Sequence, residues 1–141
     1  MSIRVQTEDF NIGAEIAGLT GGRTDIGAVV TFTGTVRGAA GGSPLTSMTL
    51  EHYPGMTERY LEKISKEARQ RWDIIDSLII HRVGDLHPDE PIVLVAVWSA
   101  HRAAAFDASR FLMEELKSRA PFWKKEVLST GSRWVEKNTP G

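Results

Sequence analysis

The stretch Ser99 to Glu126, SAHRAAAFDASRFLMEELKSRAPFWKKE, gathers most of the side chains here that can do chemistry together. His101 and Arg102 stand at the predicted start of a helix. Lys117, Arg119, Lys124 and Lys125 surround the Pro121-Phe122-Trp123 break at its far end. The first turn of a helix presents unpaired N–H groups and a partial positive charge, so a His-Arg pair there suits a phosphate or carboxylate. Simple capping of the helix by Ser99 or His101 is equally compatible with the sequence. A lysine held against aromatic rings loses hydration of its ammonium and its pKa falls. It then becomes usable as a general acid or base, a nucleophile or an oxyanion partner. Lys117 and Lys124 are the candidates, each set against the plainer reading of a solvated surface lysine. Arg37, at a strand end before a glycine-rich loop, is a further candidate anion contact, although that loop has no P-loop spacing.

Composition narrows the chemistry. The 141 residues contain no cysteine, which excludes disulfides, thiolate nucleophiles and cysteine zinc sites. Any sulfur chemistry needs sulfur brought by another molecule. His52, His81, His87 and His101 have no ligand-type spacing, so no metal is expected. His81 and His87 read as structural or exposed, and Glu51 and His52 as residues of a strand edge. Residues 1–101 carry 9 Lys and Arg against 13 Asp and Glu, whereas residues 102–141 carry 8 against 5. A cationic C-terminal third on an acidic body fits a small anion or an acidic tail better than a long polyanion, and nucleic acid is not expected. No window reaches the ~20 apolar residues of a membrane span, and the first ten residues lack the apolar core of a secretory signal, so a cytoplasmic location is expected.

These residues must be positioned by a small set of elements. Ile3–Gln6 reads as a strand. Thr7-Glu8-Asp9 offers the start of a short helix with Ile12, Ile16 and Leu19 on one face. Gly27–Val36 is β-branched and reads as a strand, and 38–43 (GAAGGS) as a flexible loop. Leu45–Tyr53 is another strand. Met56–Trp72 repeats apolar residues at helical spacing, with opposite charges three and four apart on its outer face. Ile74–Val83 and Ile92–Ala100 read as strands joined by a hairpin-like connection through Pro88 and Pro91. Arg102–Lys117 is a long helix stopped by Pro121, and Phe122–Leu128 reads as a last strand before Thr130-Gly131 turns the chain. The order β-α-β-β-α-β-β-α-β points to an α+β single domain, residues 1–141, with a mainly antiparallel sheet, two long helices and a short polar tail from about 135.

On the long helix, Arg102, Phe106, Met113 and Lys117 fall within a stripe ~60° wide, which predicts Phe106 and Met113 buried or half-buried with a cation at each end. Arg102 and Lys117 are then ~22 Å apart along the axis at ~1.5 Å per residue, roughly twice the span of a small phosphorylated ligand. One chain can hardly bring both to one small ligand. A site shared across a homodimer is expected, with His101 and Arg102 of one protomer facing Lys117 and Lys124 of its partner.

Five segments in order, GAVVTFTGTVR (27–37), LEHYPGM (50–56), HRVG (81–84), SAHR (99–102) and LKSRAPFWKKE (116–126), resemble the catalytic, large subunit of molybdopterin synthase. The resemblance runs from about residue 3 to Trp134. It implies an α/β hammerhead-type fold and a homodimer within a heterotetramer, each large subunit binding a small ubiquitin-like sulfur carrier whose C-terminal Gly-Gly is a thiocarboxylate. It implies a sulfurtransferase that passes two sulfurs to cyclic pyranopterin monophosphate to make the dithiolene of molybdopterin, in molybdenum cofactor biosynthesis. No resident cofactor is implied. The family's anion-binding positions fall on Arg37, His101 and Arg102, and its catalytic lysines on Lys117 and Lys124. Thr35, Val36, Lys125 and Glu126 would line the same pocket, and Phe32 and Met113 would pack around the inserted carrier tail. Lys117 would stand nearest the carrier's terminal carbonyl as an oxyanion stabiliser, with Lys124 exchanging protons with the pterin. The competing reading is a non-catalytic, dimeric module that binds anions or nucleic acid through Phe122-Trp123-Lys124-Lys125 and Arg133-Trp134, or that holds a carrier without chemistry.

Overall fold

A computed structural model of the chain describes residues 1–40 and 43–135; the centre of the glycine-rich loop and the polar tail lie outside the described residues. The elements are β1 (Ser2–Gln6), α1 (Ile12–Thr20), β2 (Ala28–Thr35), β3 (Ala39–Ala40), β4 (Ser43–His52), α2 (Met56–Arg71), β5 (Asp76–Arg82), β6 (Gly84–Leu86), β7 (Pro91–Ser99), α3 (Arg102–Ser118), β8 (Phe122–Leu128) and β9 (Gly131–Val135). They form the expected α+β domain, with its strands divided between two mainly antiparallel sheets rather than gathered in one.

The first sheet has the order β1-β5-β7-β2, and only β1 and β5 run parallel. β5 and β7 occupy its centre and are covered on both faces, which is why SLII (77–80) and IVLVAVW (92–98) are almost continuously apolar. Leu78, Ile80, Leu94, Ala96 and Trp98 face α1, where Phe10, Ile12, Ile16 and Leu19 pack on them. Ile79, Val93, Val95 and Val97 face Leu61, Ile64 and Ala68 of α2 and Ala105, Ala108 and Leu112 of α3. Trp98 is fully buried and its indole N–H donates to Thr20 Oγ1 at 3.0 Å, so the largest core side chain leaves no orphan donor. Helix α1 starts later than the sequence suggests. Asn11, not Thr7-Glu8-Asp9, is the N-cap, its side chain accepting from Ala14 N at 2.9 Å.

In the second sheet β3, β4, β8 and β9 lie in that order, and β6 also pairs with β4. Val36, Leu45, Met48, Leu50 and Leu86 form its own small core. Three strands here were not anticipated. Ala39 and Ala40, read as part of a loop, form β3, with Ala39 paired to Pro44 and Ala40 to Ser43; the rest of that loop's centre lies outside the described residues. Gly84–Leu86, read as part of a connection, adds to β4, and residues 131–135 form β9 on β8. Leu50 pairs with Lys124 and His52 with Phe122, so the register of β4 on β8 sets the aromatic-basic segment against the end of α3.

Candidate functional site

Two concavities meet at Lys117. The inner one, about 250 Å³, is enclosed by Met48 and Leu50 of β4, His81 of β5, Leu116 and Lys117 of α3, and Phe122 and Lys124 of β8. The outer one is a groove of about 620 Å³ between β2 and α3, walled by Phe32, Gly34, Thr35, Arg37, Phe106 and Met113, and it also ends on Lys117. Lys117 and Ser118 border both.

The inner cavity is cationic, and its two lysines are half-buried. Lys117 sits in the last turn of α3, where the helix dipole favours a cation by about 0.3–1 kcal/mol. Burial first, and the charge of Lys124 second, lower its pKa below the usual 10.5. Lys124 is lowered too: burial and Arg37 act against its charge, while Glu126 supports it. Neither lysine enters an ion pair among the described residues. Glu126, the carboxylate that supports the charge of Lys124, is engaged by Arg133 at 3.2 Å. Two amines with depressed pKa values and no bonded counter-ion describe a site that can bind an anion, donate or take a proton, and stabilise a developing oxyanion.

Of the residues singled out from the sequence, Phe32, Thr35, Arg37, Met113 and Lys117 come together along the groove, and Lys117 and Lys124 at the inner cavity. Val36 is turned down into the small core beneath, and Glu126 stands beside Lys124. Lys125 departs from the pocket. Strand alternation sends it to the opposite face of β8, where its Nζ lies 5.8 Å from the Trp134 ring centre. Met113 is buried in the main core, as expected, whereas Phe106, expected to be at least half-buried, is 60% exposed on the groove wall. Trp123 packs against Tyr53 at 4.8 Å between ring centres.

His101 is the N-cap of α3 in extended conformation, but its side chain makes no capping bond, and Ser99 Oγ donates to the His101 carbonyl rather than to the helix. Neither caps the helix by its side chain, so the first-turn N–H groups of α3 stay open beside exposed Arg102. Both residues lie at the end of α3 remote from Lys117, ~22 Å away along the axis.

Sequence reasoning passed over His81. It is buried, lines the inner cavity and stacks on Phe122 with ring centres 3.9 Å apart. Burial, with the charges of Lys117, Lys124 and His52, pushes its pKa down to about 4. The signal was a lone histidine in an otherwise apolar strand, which sequence alone cannot tell from a structural one. Among the described residues no group of three or more His, Asp or Glu is placed to hold a metal ion, and no helix is long and apolar enough to cross a membrane.

Comparison with known proteins places the chain in one family. A family model described as MoaE protein matches residues 5–119. The molybdopterin synthase catalytic subunit of Ralstonia nicotianae is 59% identical over 135 residues, covering 96% of this chain and 77% of the relative. The molybdopterin biosynthesis MoaE protein of Burkholderia ambifaria superimposes with a TM-score of 0.83 at 48% identity, covering 99% of this chain and 92% of that one. A chain from the Helicobacter pylori protein–protein complex of subunits 1 and 2 of molybdopterin-converting factor shares the fold, with a TM-score of 0.76 at 17% identity over 97% of this chain and 92% of its own.

Proposed function

The chain belongs to the MoaE family, that of molybdopterin synthase catalytic subunits in molybdenum cofactor biosynthesis, and from that premise we propose that it is a sulfurtransferase completing the dithiolene of molybdopterin. Cyclic pyranopterin monophosphate receives two sulfurs in turn from the C-terminal thiocarboxylate of a small ubiquitin-like carrier. The observation that carries this reading is the meeting of an apolar groove and a cationic cavity at Lys117.

The groove suits an extended peptide tail. Phe32 and Met113 offer apolar contact, and Gly34 leaves its wall without a side chain. A tail laid along it delivers its terminal carbonyl to Lys117 and its sulfur to the cavity mouth. Once that sulfur is bonded to the pterin as a thioester, attack of water on the acyl carbon builds negative charge on the carbonyl oxygen, which the half-buried Lys117 ammonium offsets; the carbon–sulfur bond then breaks, leaving the sulfur on the pterin and a carboxylate on the carrier. Lys124, its pKa also lowered, exchanges protons with the pterin. Arg37 and the open N-terminus of α3 with His101 and Arg102 take the phosphate. Because that end of α3 is remote from Lys117, the complete site belongs to a homodimer, with His101 and Arg102 from one protomer and Lys117 and Lys124 from the other. Two carriers on such a dimer make the heterotetramer. The Helicobacter complex, which has the same fold, supports a small-subunit partner.

The absence of cysteine fits a donor that brings its own sulfur. Thiocarboxylated carrier and cyclic pterin, supplied together, should yield the dithiolene product by mass spectrometry; a chain that binds both and forms none would reject the proposal.

A further inference from the structure

Arg82, at the end of β5, is a buried charged side chain to which the chemistry above gives no task. Its Nε and Nη2 donate to the Thr7 carbonyl oxygen at 3.1 and 3.0 Å. Its Nη1 donates to the Pro91 carbonyl oxygen at 3.2 Å and to Glu90 Oε2 at 3.3 Å. A planar guanidinium holds these three oxygens at once, which a compact ammonium cannot. It thereby grips the turn of residues 87–90 between β6 and β7. Asp89 in that turn takes a φ of 76°, in the left-handed region that costs energy for a residue with a Cβ. What the turn holds in its own right is the end of β2. The β2–β7 ladder shifts register between Gly34 and Thr35 and runs out at the pair Thr35–Pro91. Val36 lies beyond it. The Val36 N–H donates to the Glu90 carbonyl oxygen, and the Asp89 N–H donates to the Val36 carbonyl oxygen, both at 2.9 Å. Past Arg37, the Leu45 N–H donates to the Gly38 carbonyl oxygen at 3.0 Å. Arg37 is thus one residue between two tethered ones. It lines the groove, near enough to Lys124 for its charge to act there.

We propose that Arg82 and Glu90 are positioning residues, which clamp the 87–90 turn onto Val36 and so set Arg37 where it meets the anionic substrate. The line of contact is continuous. The guanidinium holds the Glu90 carboxylate and the Pro91 carbonyl, the backbone of Asp89 and Glu90 holds both polar groups of Val36, and one rigid peptide plane joins Val36 to Arg37. The Arg37 side chain itself enters no ion pair among the described residues. An exposed arginine without a partner keeps its rotamer freedom, so pre-setting its backbone is the means the fold has of aiming it. The inference deepens the synthase reading and rests on it for the identity of the anion.

The test combines amide hydrogen exchange of Val36, which needs no substrate, with calorimetric binding of cyclic pyranopterin monophosphate to the full chain. Arg82→Lys and Glu90→Ala should speed Val36 exchange about fivefold and raise the pterin Kd about threefold. Glu90→Gln keeps an acceptor oxygen for Nη1 and should stay within about 1.5-fold of wild type in both. Gln and Ala lose the same charge, so their contrast reads the bond and not the net charge. Arg37→Ala should by itself raise the Kd about tenfold, and adding Glu90→Ala to it should change nothing further. A role confined to stability would lower the melting temperature and leave the Kd alone. In turnover, pterin KM should rise in Glu90→Ala while kcat and carrier KM hold. Arg82 is buried; if Arg82→Lys does not fold, the Ala–Gln contrast at Glu90, whose side chain is 37% exposed, carries the same information. Val36 exchange unchanged in Glu90→Ala, or a Kd that rises by the same factor with and without Arg37, would overturn the proposal. Coupled binding in a chain that makes no dithiolene would uphold the clamp and reject the synthase reading. Dithiolene formation with Glu90→Ala and wild type alike in exchange and affinity would do the reverse.

Discussion

A subunit-complementation experiment tests the division of the site most directly. Helix α3 runs unbroken from Arg102 to Ser118. At ~1.5 Å per residue its two functional ends are ~22 Å apart, far beyond the reach of one small ligand. Let one chain carry Arg102→Ala and another Lys117→Ala. Each parental dimer then holds a lesion in both of its sites, and each should be nearly inactive. In a two-fold symmetric dimer of one chain of each kind, one site collects both lesions and the other collects none. Purified mixed dimer should therefore recover about half of the wild-type rate, and an unfractionated equal mixture, in which half the dimers are mixed, about a quarter. Two different affinity tags isolate the mixed species, and dithiolene formation from thiocarboxylated carrier and cyclic pterin is followed by mass spectrometry. Mixed dimers of verified composition that remain as inactive as their parents would refute the division. Each site would then draw both ends from one chain, and the straight-helix distance would have been misapplied.

Lys117→Ala should reduce turnover by about 10²-fold or more while carrier binding, measured by calorimetry, persists; intact turnover would favour a scaffold without chemistry. Because burial lowers the Lys117 pKa below 10.5, the unfolded chain binds more protons between the folded value and 10.5, and stability rises with pH across that window. Lys117→Met should flatten the rise in denaturant titrations run below and up to pH 10.5. At the acid end, unfolded His81 takes up a proton between pH 6.5 and about 4 that the folded ring refuses, so stability falls as pH drops, by at most about 1.4 kcal/mol per pH unit, and His81→Phe should remove that part of the slope. Gly27→Ala would place a Cβ 2.1 Å from the Ala100 carbonyl oxygen, backbone against backbone, at the joint between β2 and the start of α3. A loss of roughly 3 kcal/mol or more, read as a drop in melting temperature, is expected.

What could be read from the sequence was what a local pattern determines. The 3.6-residue periodicity of α2 and α3 and the β-branched run of β2 lie where the structure has them, and Phe122–Leu128 was delimited as found. The strands that escaped notice are fixed by the strands they pair with rather than by a pattern in their own residues. Gly84–Leu86 is strand only because β4 offers it an edge, and Ala39–Ala40 because Ser43 and Pro44 fold back on them. In the site, Lys117 and Lys124 drew attention through charge beside aromatic residues, a local cue. His81 did not, since its place depends on β5, β8 and α3 converging. Phe106 misled because helical periodicity identifies a face and not what covers it: in the single chain that face of α3 is the wall of a groove.

Strand β8 carries Lys124 inward to the cavity and Lys125 outward over Trp134, two successive positions with opposite assignments. Their roles rest on odd-even parity alone. A single-codon insertion or deletion between Pro121 and Lys124 would interchange the two faces, bringing Lys125 under the cavity and exiling Lys124, while conserving every charge and nearly all of the composition. Variation in this stretch is thus free to alter residue type on the outward side yet closed to changes of length, a constraint of reading frame in space rather than of chemistry.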